Sequence, residues 1–240
     1  MSEDKTHREV KKPQISARYL ADYMAATQTA GRTIIRGCKY QPIARVVQHD
    51  EAKAAVGKAI RDSEGPEVLA AKSQALRDRM ADSDFDRDLY DHNADYIDRF
   101  ATARGGLELP DADILAPGAH PPTMLSGVRV TFDLAFRLRR LTKTNKIRVG
   151  VAALHYAKGK ALPPTVGQWQ SALLFGYLTQ VGVEDGADPE HQLCLTVDAY
   201  AGKAYPAPTD AVRRFQQMKS ACTTIAEWWP NIPPPPGARL

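Results

Sequence analysis

Between Val128 and Leu138 the chain alternates strictly. Val128, Val130, Phe132, Leu134, Phe136 and Leu138 interleave with Arg129, Thr131, Asp133, Ala135, Arg137 and Arg139. A period of two places every apolar side chain on one face of an extended strand, and no helix can bury such a set. The polar run Thr142–Lys146 is a turn signal. The following segment, Ile147 to Tyr156, is apolar on both faces, as befits a strand in the middle of a sheet. Residues 126–160 are therefore expected to form a β-hairpin, and a sheet of this kind needs helices to cover its faces.

The flanking segments supply such helices. Trp169 to Val181 is apolar nearly all round and predicts a buried helix. Leu193–Tyr200 and Lys203–Tyr205, joined at Ala201 and Gly202, predict a second hairpin. Thr209 is a candidate cap for a last helix carrying Val212, Phe215, Met218, Cys222, Ile225 and Trp229. Before the hairpin the pattern is mainly helical. Ser16 can cap a helix with Tyr19, Leu20, Tyr23 and Met24 on one stripe, and Arg32–Tyr40 reads as a helix end and a turn. Ile43–Val47 reads as a strand or connector, and helices are expected over Asp50–Ile60, Val68–Met80 and the acidic stretch Asp82–Arg99. The expected fold is α/β. A flexible tail (1–12) precedes a helical region (13–104), a Gly/Pro-rich linker or loop (105–123), an α/β domain (124–230) and a Pro-rich tail (231–240).

Composition narrows the class. With 43% apolar and 25% charged residues, the chain has a globular balance. Cys38, Cys194 and Cys222 are odd in number and widely spaced, which argues against a disulfide framework or a zinc site and for buried small hydrophobes. The start, Met-Ser-Glu-Asp-Lys-Thr-His-Arg-Glu, lacks the apolar run of a signal peptide, and no stretch approaches a membrane span. A cytoplasmic location is the expectation. No P-loop, dinucleotide-binding glycine pattern or nucleophile elbow is present.

The charge is unevenly placed. Ser126–Lys160 holds Arg129, Arg137, Arg139, Arg140, Lys143, Lys146, Arg148, Lys158 and Lys160 against Asp133 alone, in a chain whose net charge is +4. Such focusing is the footprint of a phosphate-backbone binder, DNA or RNA. The alternatives are a solvated strand face that discourages aggregation, or a surface that docks an acidic protein partner or the chain's own acidic helix. Arg32, Arg36, Lys39 and Arg45 extend the basic surface or cap helix C-termini. The acidic stretch lacks the spacing of a calcium-binding loop.

Asp133 lies on the polar face between Arg129 and Arg137, as a neutralising carboxylate or as a metal or general-base group. The order of a helix, a strand with Asp133, a following strand, a buried helix, a strand and a helix resembles the PD-(D/E)XK nuclease superfamily over about residues 90–230. The resemblance implies a restriction-endonuclease-like core in which Asp133 and an E-x-K on the next strand would hold Mg²⁺ or Mn²⁺. Here Val151 and Ala153 stand at the Glu and Lys positions. Relocated partners would be His155, Lys158 and Lys160, or Gln168 and Gln170, although Leu174 departs from the Gln-x-x-x-Tyr pattern of the RecB-like branch. His155 has an alternative role as a hydrogen-bonded structural residue, and Asp198 as a turn carboxylate rather than a second ligand. The combined expectation is a protein that binds DNA or RNA with an incomplete or rearranged metal site. A protein-interaction module is the alternative, and an active metal-dependent nuclease with relocated residues the third.

Overall fold

The computed structural model describes residues 5–43, 48–183 and 186–240. Strands β1 (His7–Glu9) and β2 (Gln14–Ser16) lead into α1 (Ala17–Ala25). The Ser16 hydroxyl caps the first turn of α1, accepting from the Tyr19 N–H at 3.2 Å, and so satisfies one of the donors a helix start leaves open. Helix α2 (Gln28–Lys39) runs through Gly31 and Gly37, so Arg32–Tyr40 is mostly helix rather than a helix end and turn. It leads directly into β3 (Tyr40–Pro42), which pairs antiparallel with β1. Part of the segment expected as a loose tail is thus ordered strand. Of the Ile43–Val47 segment, residues 44–47, including Arg45, lie outside the described residues.

Three helices follow, as expected. Helix α3 (Asp50–Arg61) begins with Asp50 and Glu51 and ends with Lys58 and Arg61, charges that complement its dipole. Helix α4 (Pro66–Arg77) has proline in its first turn, where a missing N–H costs nothing, and α5 (Asp84–Ala103) is capped by Ser83. Beyond them come β4 (Asp113–Leu115), β5 (Thr123–Leu125), β6 (Val128–Thr131), β7 (Phe136–Leu141) and β8 (Ile147–His155). The chain is completed by α6 (Pro164–Val181), β9 (Ala187–Pro189), β10 (Leu195–Asp198), β11 (Lys203–Pro206) and α7 (Ala211–Trp228). The cap of α7 is Asp210, not Thr209, and Val212 points to solvent.

Strand β8 is the axis of an α/β arrangement with a mixed sheet. It pairs antiparallel with β7 on one side and parallel with β9 and β10 on the other, giving the order β11-β10-β8-β7-β4 with β9 beside the first half of β8. The Gly/Pro-rich segment contributes β4 to this sheet. A second sheet, β2-β6-β5, is separate.

The expected continuous strand over Val128–Leu138 is therefore two strands in two sheets, and the hairpin proper is β7–β8. Every second side chain stays buried across the crossing, but the neighbours change. Phe132 and Leu134 join the cluster under α6, whereas Phe136 and Leu138 join the one under α3–α5. The first cluster also takes Ile15, Leu20 and Ile35 from the N-terminal helical region. Each buried Leu or Phe contributes about 1.5–3 kcal/mol. Gly150 lets the turn His191–Leu193 close onto β8, since a Cβ there would lie 2.0 Å from the Leu193 carbonyl oxygen. Among the described residues no helix is long and apolar enough to cross a membrane. All three cysteines are free and buried, and burial pushes each thiol up to about 12. They act as small hydrophobes.

Candidate functional site

Strand β7 follows β8 only as far as Ala152, whose carbonyl accepts one last bond from the Ala135 N–H at 2.8 Å. Past that point the β7 side of β8 has no partner strand among the described residues. The crossing segment Phe132–Ala135 bends away there and leaves a cleft of about 400 Å³. Four other parts of the chain close it: the start of α1 with Ser16 and Arg18, the segment Gln48–Lys53, Tyr96 of α5, and Gln170 of α6.

Asp133 stands at the rim of this cleft. It is not mid-strand and is not held by Arg129 or Arg137. Its carboxylate is bonded to Lys53 of α3, and its side chain is 70% exposed. At that exposure the pair is worth about 0–1 kcal/mol. The interior is less settled. Tyr96 is fully buried and Gln170 is 4% exposed. Yet the Tyr96 hydroxyl, the Gln170 Oε1 and the His49 Nδ1 have no hydrogen-bond partner among the described residues. Leaving a buried polar group unpaired costs about 1–3 kcal/mol, and such groups call for an explanation. Tyr96 also stacks on Tyr156 at 4.0 Å with His49 edge-on to both rings. Rings packed in these orientations attract one another and fix the phenol in place. Burial, and then the charge of Asp133, hold the Tyr96 phenol above its ordinary range and therefore neutral. Burial also lowers the pKa of His49, and His92, Lys53 and Arg18 lower it further.

The nine cations of residues 126–160 do not form one patch. Lys143 and Lys146 sit at the β7–β8 turn, while Lys158 and Lys160 follow the far end of β8. A strand of that length separates the two groups by roughly 27 Å. Arg129 belongs to the other sheet. Several are neutralised. The Arg140 Nε donates to Glu190 at 3.0 Å, Arg148 to Asp188 at 2.8 Å, and Lys158 to Asp95 at 2.7 Å. The last is a contact with the acidic helix α5. Arg137 and Arg139 flank a different hollow beneath the end of α6, and the Arg137 Nε donates to the Ala116 carbonyl at 3.2 Å. Arg129, Lys143, Lys146 and Lys160 make no ion pair among the described residues.

His155 and Asp198 are neighbours across the β8–β10 pairing. Asp198 is fully buried and its oxygens accept from the backbone N–H groups of Leu162, Tyr200 and Ala201 at 2.7, 3.0 and 3.1 Å. It is a turn carboxylate. Among the described residues no three His, Cys, Asp or Glu side chains converge as metal ligands. Asp133 shares the cleft lining with one other carboxylate, Asp50, and its pairing with Lys53 opposes the binding of Mg²⁺ or Mn²⁺ there.

His155 is buried under α6, and burial, aided by Arg18, pulls its pKa down to about 4. Its folded pKa lies below the unfolded value of about 6.5. Only the unfolded chain takes a proton between these values, so the contribution of His155 to stability is fully present above pH ~6.5 and is lost as the pH drops toward 4. The expected loss is about 3 kcal/mol, most of which the His155→Gln variant is spared. Urea unfolding midpoints across that window check it, and parallel profiles for the two proteins would refute it.

Of the sequence candidates, Asp133 and Gln170 meet in the cleft, while Lys158 is engaged elsewhere. Arg18, Lys53, His49 and Tyr96 carried no local signal, because they come from separate elements that only the fold brings together. Compared with known proteins, the chain matches no protein-family model and no curated protein.

Proposed function

We propose that the protein binds DNA or RNA and does not cut it. One observation carries this reading. Arg18 lines the cleft and makes no ion pair among the described residues, whereas Lys53 is already paired with the rim acid Asp133 and the lining also holds Asp50. Phosphodiester hydrolysis with a divalent ion needs oxygen ligands to hold it. Backbone binding needs only donors and positive charge. The element order resembles the PD-(D/E)XK superfamily, with Val151 and Ala153 at the motif positions, and this supports binding over cleavage. Arg129 and Lys160, which make no ion pair among the described residues, add positive charge outside the cleft.

Fluorescence anisotropy with labelled single-stranded and duplex oligonucleotides, over a salt series, tests the proposal. Affinity is expected to fall steeply with salt, and Arg18→Ala should weaken binding and reduce the log–log slope by about 1. Absent or salt-insensitive binding would overturn the reading. Cleavage in Mg²⁺ or Mn²⁺ that Asp133→Ala abolishes would overturn its second half.

A further inference from the structure

We infer that the hollow beneath the C-terminal end of α6 binds a small carboxylic acid with an apolar body, its carboxylate resting on Arg137. This site lies toward the opposite end of α6 from the cleft and does not depend on the nucleic-acid reading.

Helix α6 packs over β8, β10 and β11. On the same face β7 presents Arg137, because Arg137 pairs directly with Val151 of the cluster beneath α6, and paired side chains share a face. The loop after β4 roofs this part of the sheet. It is tied at both ends: the Arg137 Nε donates to the Ala116 carbonyl at 3.2 Å, and the Tyr177 hydroxyl to the Pro121 carbonyl at 3.1 Å. The hollow under it holds about 310 Å³. Leu134, Val151 and Leu178 form a buried floor, and no Asp or Glu lines the space among the described residues. Close-packed proteins seldom leave apolar space of this size unfilled, and small-molecule sites begin at about this volume. Arg137 is exposed and so stands at the mouth. It makes no ion pair among the described residues. The bond to Ala116 uses Nε and fixes the side chain, which leaves the terminal Nη groups to receive a ligand. A guanidinium held in this way meets a planar carboxylate with two parallel hydrogen bonds. Arg139 also lines the hollow but is not without a partner, so Arg137 supplies the uncommitted charge. One such cation balances a carboxylate, whereas a phosphate monoester carries about two charges near neutrality.

Isothermal titration calorimetry on the full chain tests this, with octanoate, octanol and acetate in separate titrations. Octanoate is expected to bind about tenfold or more tightly than octanol, which lacks the anion, and than acetate, which lacks the apolar body. Arg137→Met keeps the apolar stem and should weaken octanoate about tenfold while leaving octanol unchanged. Val181→Trp should abolish the binding of both, since it fills the hollow from a position at the end of α6 that is 45% exposed and outside the core. Equal affinity for octanoate and octanol would overturn the inference, as would octanoate binding that survives Arg137→Met. If Arg137→Met weakens both ligands alike, Arg137 serves only to hold the loop, and the carboxylate assignment falls. Undisturbed binding in Val181→Trp would place the ligand elsewhere and also overturn it, as would no binding of octanoate at all.

Discussion

Asp198→Ala is expected to lower the free energy of unfolding by about 3–5 kcal/mol, a large share of the roughly 5–15 kcal/mol typical of whole proteins. The carboxylate is fully buried and takes three backbone N–H groups, one preceding α6 and two in the β10–β11 turn. Alanine leaves those donors without an acceptor and removes one of the two hydrogen bonds that hold the loop at Leu162 to the sheet, the other coming from the Tyr205 hydroxyl. Asp198→Asn keeps one acceptor oxygen and the volume, so about half the loss is expected. Denaturant midpoints at constant m-value measure both effects. A loss below about 1 kcal/mol for alanine would show that water replaces the carboxylate at little cost.

Lys39→Met is the second large effect, expected at about 2–3 kcal/mol. Lys39 is 4% exposed, and its ammonium lies 2.9, 3.4 and 3.2 Å from the carbonyl oxygens of Trp229, Pro230 and Ile232, with Glu9 at 3.4 Å. It ties the end of α2 to the turn after α7. Methionine preserves the stem's packing but leaves three carbonyls facing an apolar methyl group. Amide hydrogen exchange and limited proteolysis should both locate the damage at the C-terminal segment. Unaltered protection there, with a midpoint shift worth under about 0.5 kcal/mol, would refute the assignment.

Lys39 shows where sequence reading stopped. Its place in a basic stretch suggested either an extended basic surface or a helix C-terminal cap; it is buried instead, bonded to carbonyls just beyond α7 that lie 190 or more residues away. The hairpin turn, helices α3–α6 and the central strand β8 were legible because periodicity and local end signals act within a few residues. The break at Phe132–Ala135 was not. Alternation reports burial, and burial continues across the crossing from one sheet to the other while the hydrogen-bond partners change. Charge misled for a related reason. Residues close in sequence along an extended hairpin are spread over the length of two strands, so a basic stretch of chain need not be a basic patch in space. Of the cleft, sequence could find Asp133 and Gln170, whose positions follow from element order. It could not find Arg18, Lys53, His49 or Tyr96.

The parallel pairing of β2 with β6 joins Gln14 to Arg129, more than a hundred residues later. Strand β2 precedes everything it needs. On the ribosome it emerges early and has no partner until the crossing segment has been made, so the N-terminal helices wait with Ile15, Leu20 and Ile35 uncovered. A chain of this topology folds late and slowly, since distant ends must meet before the contacts repay the closure entropy. Its exposed interval during synthesis is correspondingly long, and that interval, more than the finished fold, sets its need for chaperone protection.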